Sequence, residues 1–282
     1  MRGRRMRLVA VLGSVVLGTL LSAAHTSAMT DLAEFDGDAH PEVVALLYRT
    51  PDGSRAYQYC TGTLIAPTVV LTASHCNDGL LETGWDLVVT NDPVLPPVDA
   101  TGWFDADLRN VSVVTDVVSN PLYERKYRDD VSAQVISKPM PGAKGHFPAL
   151  PAPGVLDRLS RAGTLKSTPT TVLGYGTIQK TVVPGSGPAF YDSSERRSAV
   201  MFTTALDPEW IHQEMSISKG QGGACYGDSG GPNLMELGGT TTVVAVTSTG
   251  DGACFATNVS SRVDTASALD FLAGVLASEA KR

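Results

Sequence analysis

The sequence predicts an all-β protein, and three observations carry that expectation. Short runs rich in Val, Thr and Leu recur along the chain; Gly, Pro, Asn and Asp punctuate them; and no long amphipathic helices alternate with them. A doubly wound sheet would need that alternation. At 282 residues, with 43% hydrophobic and 18% charged residues, the chain has an ordinary globular core and room for one large all-β unit or two small domains.

Residues 1–28 come first and read as an export signal. Arg2, Arg4, Arg5 and Arg7 form a basic start, Leu8 to Leu21 an apolar stretch, and small residues follow through Ala28. The stretch is short for a membrane span, which needs about 20 apolar residues. Cleavage can follow Ala24 or Ala28, and Ala28 is preferred. The Arg4-Arg5 pair is compatible with twin-arginine export, although basic leader regions often contain such pairs.

The expected strands then follow in order: Val43–Tyr48, Thr63–Ile65, Val69–Thr72, Leu87–Thr90 and Val111–Val118, then Thr170–Leu173, Ala199–Thr204, Thr241–Ser248 and Ala256–Val259. The Pro- and Gly-rich stretch Lys138–Pro153 resembles an interdomain connection, which divides the mature chain into units 29–145 and 146–282. A second loop-like insert spans Thr181–Ser194. A helix is expected from about Asp264 to Glu279, capped by Asp264 or Thr265, with Leu269, Leu272 and Leu276 on its apolar face.

Loss of the four leader arginines makes the formal charge more negative than the −7 of the whole chain. An acidic protein without a basic stripe argues against nucleic acid as a partner, and no later apolar run is long enough for a membrane. Cys60, Cys76, Cys225 and Cys254 form an even set, which in an exported chain points to two disulfides among three pairings. Zinc is a poor alternative, since there is no Cys-x-x-Cys and only His75 adjoins a cysteine. Asn110-Val111-Ser112 and Asn258-Val259-Ser260 fit the glycosylation pattern, a triplet that also arises by chance.

Candidate chemistry centres on Gly227-Asp228-Ser229-Gly230-Gly231-Pro232. Glycines around a serine let the chain turn tightly and bring backbone N–H groups near a carbonyl. A serine hydroxyl still needs a base and oxyanion donors. The same string fits the nucleophile elbow of α/β-hydrolases, where the histidine follows the serine. Here the histidines are His25, His40, His75, His146 and His212, all before Ser229, so that reading fails. His40, His146 and His212 stand in surface-like contexts. His75 follows two β runs joined by a turn, and Cys76 beside it is able to bridge back to Cys60, which would hold the imidazole rigidly.

These segments resemble the chymotrypsin/trypsin family. Cys60-Thr61-Gly62-Thr63-Leu64-Ile65, Leu71-Thr72-Ala73-Ser74-His75-Cys76 and Gly227-Asp228-Ser229-Gly230-Gly231-Pro232 carry the likeness. Gly174-Tyr175-Gly176 and Ser248-Thr249-Gly250 resemble its Gly-Trp-Gly turn and Ser-Trp-Gly strand. The spare cysteine framework and Cys225-Tyr226-Gly227 are similar to exported actinobacterial trypsin-like peptidases. The resemblance implies two six-stranded antiparallel β-barrels with a C-terminal α-helix and a site between the barrels.

It further implies a secreted, monomeric endopeptidase acting on protein or peptide substrates without metal or cofactor.

 Ser229 would be the nucleophile, His75 its base and Asp130 the carboxylate that orients His75, with Asp129 the adjacent alternative. The backbone N–H groups of Gly227 and Ser229 would form the oxyanion hole. Cys225 and Cys254 match the family's disulfide beside the specificity pocket, whose lining would include Gly223, Ala224, Ser248, Gly250 and Asn258. An Asp at the Gly223 position selects Lys or Arg in this family, so a neutral substrate side chain is expected here. The family's Ile-Val-Gly-Gly start is absent. The expectation is that leader removal frees the Met29 amine to pair with Asp228. Two other readings are a catalytically silent homologue that acts as a binding protein and an esterase on the same fold.

Overall fold

The computed structural model describes residues 32–78, 80, 84–123, 128–183, 187–191 and 194–282. The expected leader and Met29 lie outside the described residues. Among the described residues sixteen strands run in chain order, and they begin with β1 (Glu34–Phe35), β2 (Val43–Arg49), β3 (Arg55–Ala66) and β4 (Val69–Thr72). β5 (Asp86–Thr90), β6 (Trp103–Asp105), β7 (Val111–Val118) and β8 (Ser132–Ile136) complete the first half. The second half holds β9 (Thr170–Gly174), β10 (Ile178–Val183), β11 (Gly187–Tyr191) and β12 (Arg197–Leu206). It ends with β13 (Trp210–Glu214), β14 (Pro232–Leu237), β15 (Thr240–Gly250) and β16 (Thr257–Arg262). Among the described residues two α-helices, α1 (Val155–Arg161) and α2 (Ala266–Glu279), accompany them.

The pairing order β2-β5-β7-β8-β4-β3 closes on itself through β2–β3, with β6 appended to β3. The order β12-β13-β16-β15-β14-β9 closes through β12–β9, with β1 appended to β12. The result is two closed six-stranded antiparallel barrels with a C-terminal helix, as expected. Closure removes the unpaired edges that an open sheet would expose. Val43, Ala45, Leu47, Leu71 and Val88 of the first barrel share one core with Leu173, Leu234, Val243 and Val246 of the second. Burying each of these Val and Leu side chains contributes about 1.5–3 kcal/mol, so the barrels are held against each other largely by apolar contact.

The chain ends cross between the barrels. β1 pairs with β12, Glu34 opposite Ser198. α2 lays Val275 against Val69 and Ala133 of the first barrel. Arg196 is fully buried where the segments meet. It donates to Asp36 at 2.7 Å, to the carbonyls of Gly37, Val43 and Asn91, and to the Tyr175 hydroxyl. That network satisfies a charge that would be costly to bury unpaired.

Some elements differ from the expected ones. The insert Thr181–Ser194 was expected as loop, yet β10 and β11 pair antiparallel within it. α2 takes the second of its two expected caps and begins at Ala266, the Thr265 side chain accepting from the Ala268 N–H. It buries Ala268, Leu272 and Val275, whereas Leu269 and Leu276 are half-buried at the margins. Three leucines outweigh alanine in a reading by hydrophobicity, but close packing on the barrel favours the small side chain of Ala268. No helix among the described residues is long and apolar enough to cross a membrane.

Candidate active site

His75 lies on a 3-10 turn, Ser74–Asn77, that follows β4. Beneath the turn, the Ser74 hydroxyl donates to the Val131 carbonyl at 3.0 Å. Ser132 donates to the Ala73 carbonyl at 2.9 Å, and Asn77 donates to Ser132 at 2.8 Å. The Cys60–Cys76 disulfide ties the turn to β3. Both ends of Asp130 are engaged from here. Its Oδ1 accepts from the His75 backbone N–H at 2.9 Å, and its Oδ2 meets His75 Nδ1 at 2.8 Å.

Asp130 and Asp129 point to different places. Asp130 is fully buried, while Asp129 accepts from the Ser267 hydroxyl on α2 at 2.5 Å. Asp129 has φ 49°, a left-handed conformation that Asp tolerates better than most residues. The turn it makes aims consecutive carboxylates apart. Ser248 also reaches Asp130, donating to Oδ2 at 2.5 Å. The register between β15 and β16 shifts between Thr247 and Thr249, and such a bulge re-aims the side chain within it.

Ser229 stands on the loop before β14 and is pinned across the molecule, its carbonyl accepting from Thr61 N–H at 2.8 Å. Gly230 follows with φ 78°, and a Cβ there would fall 2.0 Å from Thr72 Oγ1. Only glycine lets the loop approach the first barrel so closely. The Tyr226 carbonyl accepts from Thr177 N–H at 2.6 Å. The N–H of the same planar trans peptide belongs to Gly227 and points the opposite way. The Gly227 carbonyl is held by Gln58 Nε2 and the Thr61 hydroxyl, each at 2.9 Å. Neither Gly227 N–H nor Ser229 N–H has a partner among the described residues. Two outward-facing donors beside a serine can hold a developing oxyanion.

The loop's anchor is Asp228. It is fully buried and accepts from Gly176 N–H and Cys225 N–H, both at 2.7 Å. Burial pushes its carboxyl up to about 7, against the pull of those two donors. A Cβ on Gly176 would lie 2.6 Å from Asp228 Cγ, so the Gly174-Tyr175-Gly176 turn makes the room for the carboxylate.

His75 and Ser229 line two adjoining cavities. One, of about 640 Å³, runs past Gln58 and the Cys60–Cys76 bridge toward Tyr48, Tyr57 and Gly102. The other, of about 300 Å³, lies between Ala224–Tyr226 and Ser248–Gly252, with Asn258 in its lining. The Cys225–Cys254 disulfide joins its walls. Of the expected pocket residues, Ala224, Ser248, Gly250 and Asn258 line it. Gly223 is not among its described lining residues, because Met215 fills the space beside it: a Cβ would fall 2.0 Å from Met215 Sδ. Cys60, His75 and Cys76 cluster closely, but both sulfurs are in a disulfide and offer no thiolate to a metal.

A family model described as Trypsin matches residues 33–270. The chain belongs to the trypsin family. It is also 29% identical over 224 residues to a protein named Trypsin from Saccharopolyspora erythraea, an alignment covering 76% of this chain and 82% of that protein. Sequence reasoning missed Gln58, Thr61 and Met215, and the contact of Ser248 with Asp130. Gln58 and Met215 lie outside the motifs, while Thr61 and Ser248 lie within them but act on residues far away in the chain.

Among the remaining histidines, His146 is exposed, whereas His40 and His212 are half-buried. His40 Nδ1 lies 2.8 Å from Glu42, and this hydrogen bond raises the His40 pKa despite burial. His212 Nε2 lies 2.9 Å from Asp207.

Proposed function

We propose that this trypsin-family chain is an exported serine endopeptidase that cleaves peptide bonds through an acyl-enzyme on Ser229. The observation that carries the reading is the double engagement of His75 by buried Asp130, in a cleft that His75 shares with Ser229. Asp130 fixes the ring so that Nδ1 carries a proton and Nε2 is left to accept one. Ser229 Oγ attacks the substrate carbonyl and its proton passes to His75. The oxyanion is received by the N–H groups of Gly227 and Ser229. Collapse of the tetrahedral intermediate expels the amine, which takes the proton from imidazolium, and water repeats the sequence to free the acid.

Leader removal at Ala28, secretion, and pairing of the freed Met29 amine with Asp228 complete the proposal. Asp228 supports the last step as a buried carboxylate whose identified partners are backbone donors only. The test is covalent labelling of the secreted protein by a fluorophosphonate. We expect stoichiometric labelling and peptide hydrolysis, both abolished in Ser229→Ala. Unlabelled but folded protein would leave the chain a silent homologue that binds rather than cuts.

A further inference from the structure

The smaller cavity is bridged at its mouth. Tyr226 stands on one wall, and its hydroxyl donates to the Gly252 carbonyl on the opposite wall at 2.9 Å. Tyr226 also lines the larger cavity, so its half-exposed ring partitions the two. A side chain entering the smaller cavity has to pass beside this bridge.

Inside, Asn258 ends a buried chain of polar groups. Thr247 meets Asn233 at 3.2 Å, and Asn233 meets Gln213 at 2.9 Å. Gln213 meets Asn258 at 2.8 Å, and Asn258 meets Ser260 at 2.8 Å. Asn233, Gln213 and Ser260 are fully buried. One end of the Asn258 amide is therefore consumed by Gln213 and Ser260. The other end has no partner among the described residues, and it is not among the polar atoms sealed inside the protein. It belongs to the cavity that Asn258 lines.

Donors and acceptors along such a chain of amides reverse together, so Asn258 offers the cavity either its oxygen or its nitrogen. A carboxamide, which both donates and accepts, pairs with either. Charged groups fare worse. Gly223 carries no carboxylate, and Met215 fills the space beside it. Asp251 on the rim already accepts from the N–H groups of Phe255, Ala256 and Thr257. An anion would be desolvated here without a counter-charge, and a cation would have to share Asp251 with the three N–H donors that hold it. An aliphatic side chain would leave the end of Asn258 unpaired.

We propose that this cavity takes an uncharged side chain ending in a carboxamide, glutamine or asparagine, on the residue whose carbonyl is attacked. Asn258 is its polar partner, and the Tyr226–Gly252 bridge limits its width. This inference rests on Ser229 being the nucleophile of an endopeptidase.

The test is a panel of fluorogenic peptide amides identical except at that residue, cleaved by the secreted full-length protein. Glutamine or asparagine should exceed leucine, methionine, glutamate and lysine in kcat/KM by about tenfold or more. In Tyr226→Phe, which lies off the buried chain, phenylalanine should gain several-fold relative to glutamine. Best cleavage after lysine, lost in Asp251→Ala, would overturn the inference, as would best cleavage after leucine or phenylalanine. Fluorophosphonate labelling separates the two failures. A labelled protein without carboxamide preference sinks the slot alone, whereas an unlabelled one sinks the endopeptidase reading and the slot with it.

Discussion

His75 and Ser229 are held in place by different means, one on each barrel. His75 rides a short turn fastened by a disulfide, a carboxylate and a set of side-chain hydrogen bonds. Ser229 rides a glycine-rich loop fastened by backbone donors and by close approach, with Asp228 as its buried anchor. The difference teaches where each half is vulnerable. The base side should lose chemistry when a polar atom changes and keep its fold. The nucleophile side should lose its shape when a single methyl is added.

The largest expected effect is on the base side. Asp130→Asn keeps the size of the side chain and its bond from the His75 backbone, but it destabilises the tautomer with a proton on Nδ1. We expect kcat to fall by about 10⁴ with the melting temperature little changed. Asp129→Asn is the matched control, since asparagine also tolerates the left-handed conformation; a fall of similar size there would exchange the roles of the two acids.

On the nucleophile side, Gly176→Ala places a methyl 2.6 Å from Asp228 Cγ and 2.6 Å from the Tyr226 carbonyl oxygen. Backbone cannot yield as a flexible side chain does. The cost should reach or exceed the roughly 1–3 kcal/mol usual for overpacking, read as a lower urea midpoint. Labelling of Ser229 should slow as well, because Tyr226 and Asp228 position the loop that carries Ser229. A variant with wild-type midpoint and labelling would mean that the loop has more slack than this contact allows.

This contrast also explains what was legible in the sequence. The runs around His75 and Ser229 are local, so their spacing could be read directly, as could β4 and β7 to the residue. Asp130 could be chosen by resemblance, but Asp129 stayed as its alternative, because the turn at Asp129 that separates them is a matter of backbone conformation. Gln58 and Gly227 are 169 residues apart, and Ser248 and Asp130 are 118 apart. Packing of one barrel against the other brings those groups together, and no local pattern of polar residues announces it. Gly223 shows the same limit: its lack of a side chain was legible, but the Met215 that requires it was not.

The smallest expected effect concerns the anchor itself. Burial raises the Asp228 carboxyl from 3.8 to about 7. The native state therefore holds that proton more tightly than the unfolded chain does between those two values. Stability attributable to Asp228 is fully present below the lower value, declines as pH rises through the window, and levels off above about 7. Asp228→Asn lacks the titration and mimics the protonated acid. In protein that keeps its leader, urea midpoints of wild type and variant should lie close together near pH 4, with the wild type falling behind as the pH approaches 8. Once the leader is removed the divergence should reverse, the wild type gaining on the variant as pH rises, because the ionised carboxylate then has a cationic partner; a wild type that still falls behind would sink the pairing. The freed amine of Met29 is the proposed candidate, and blocking that amine by acetylation should then abolish the gain.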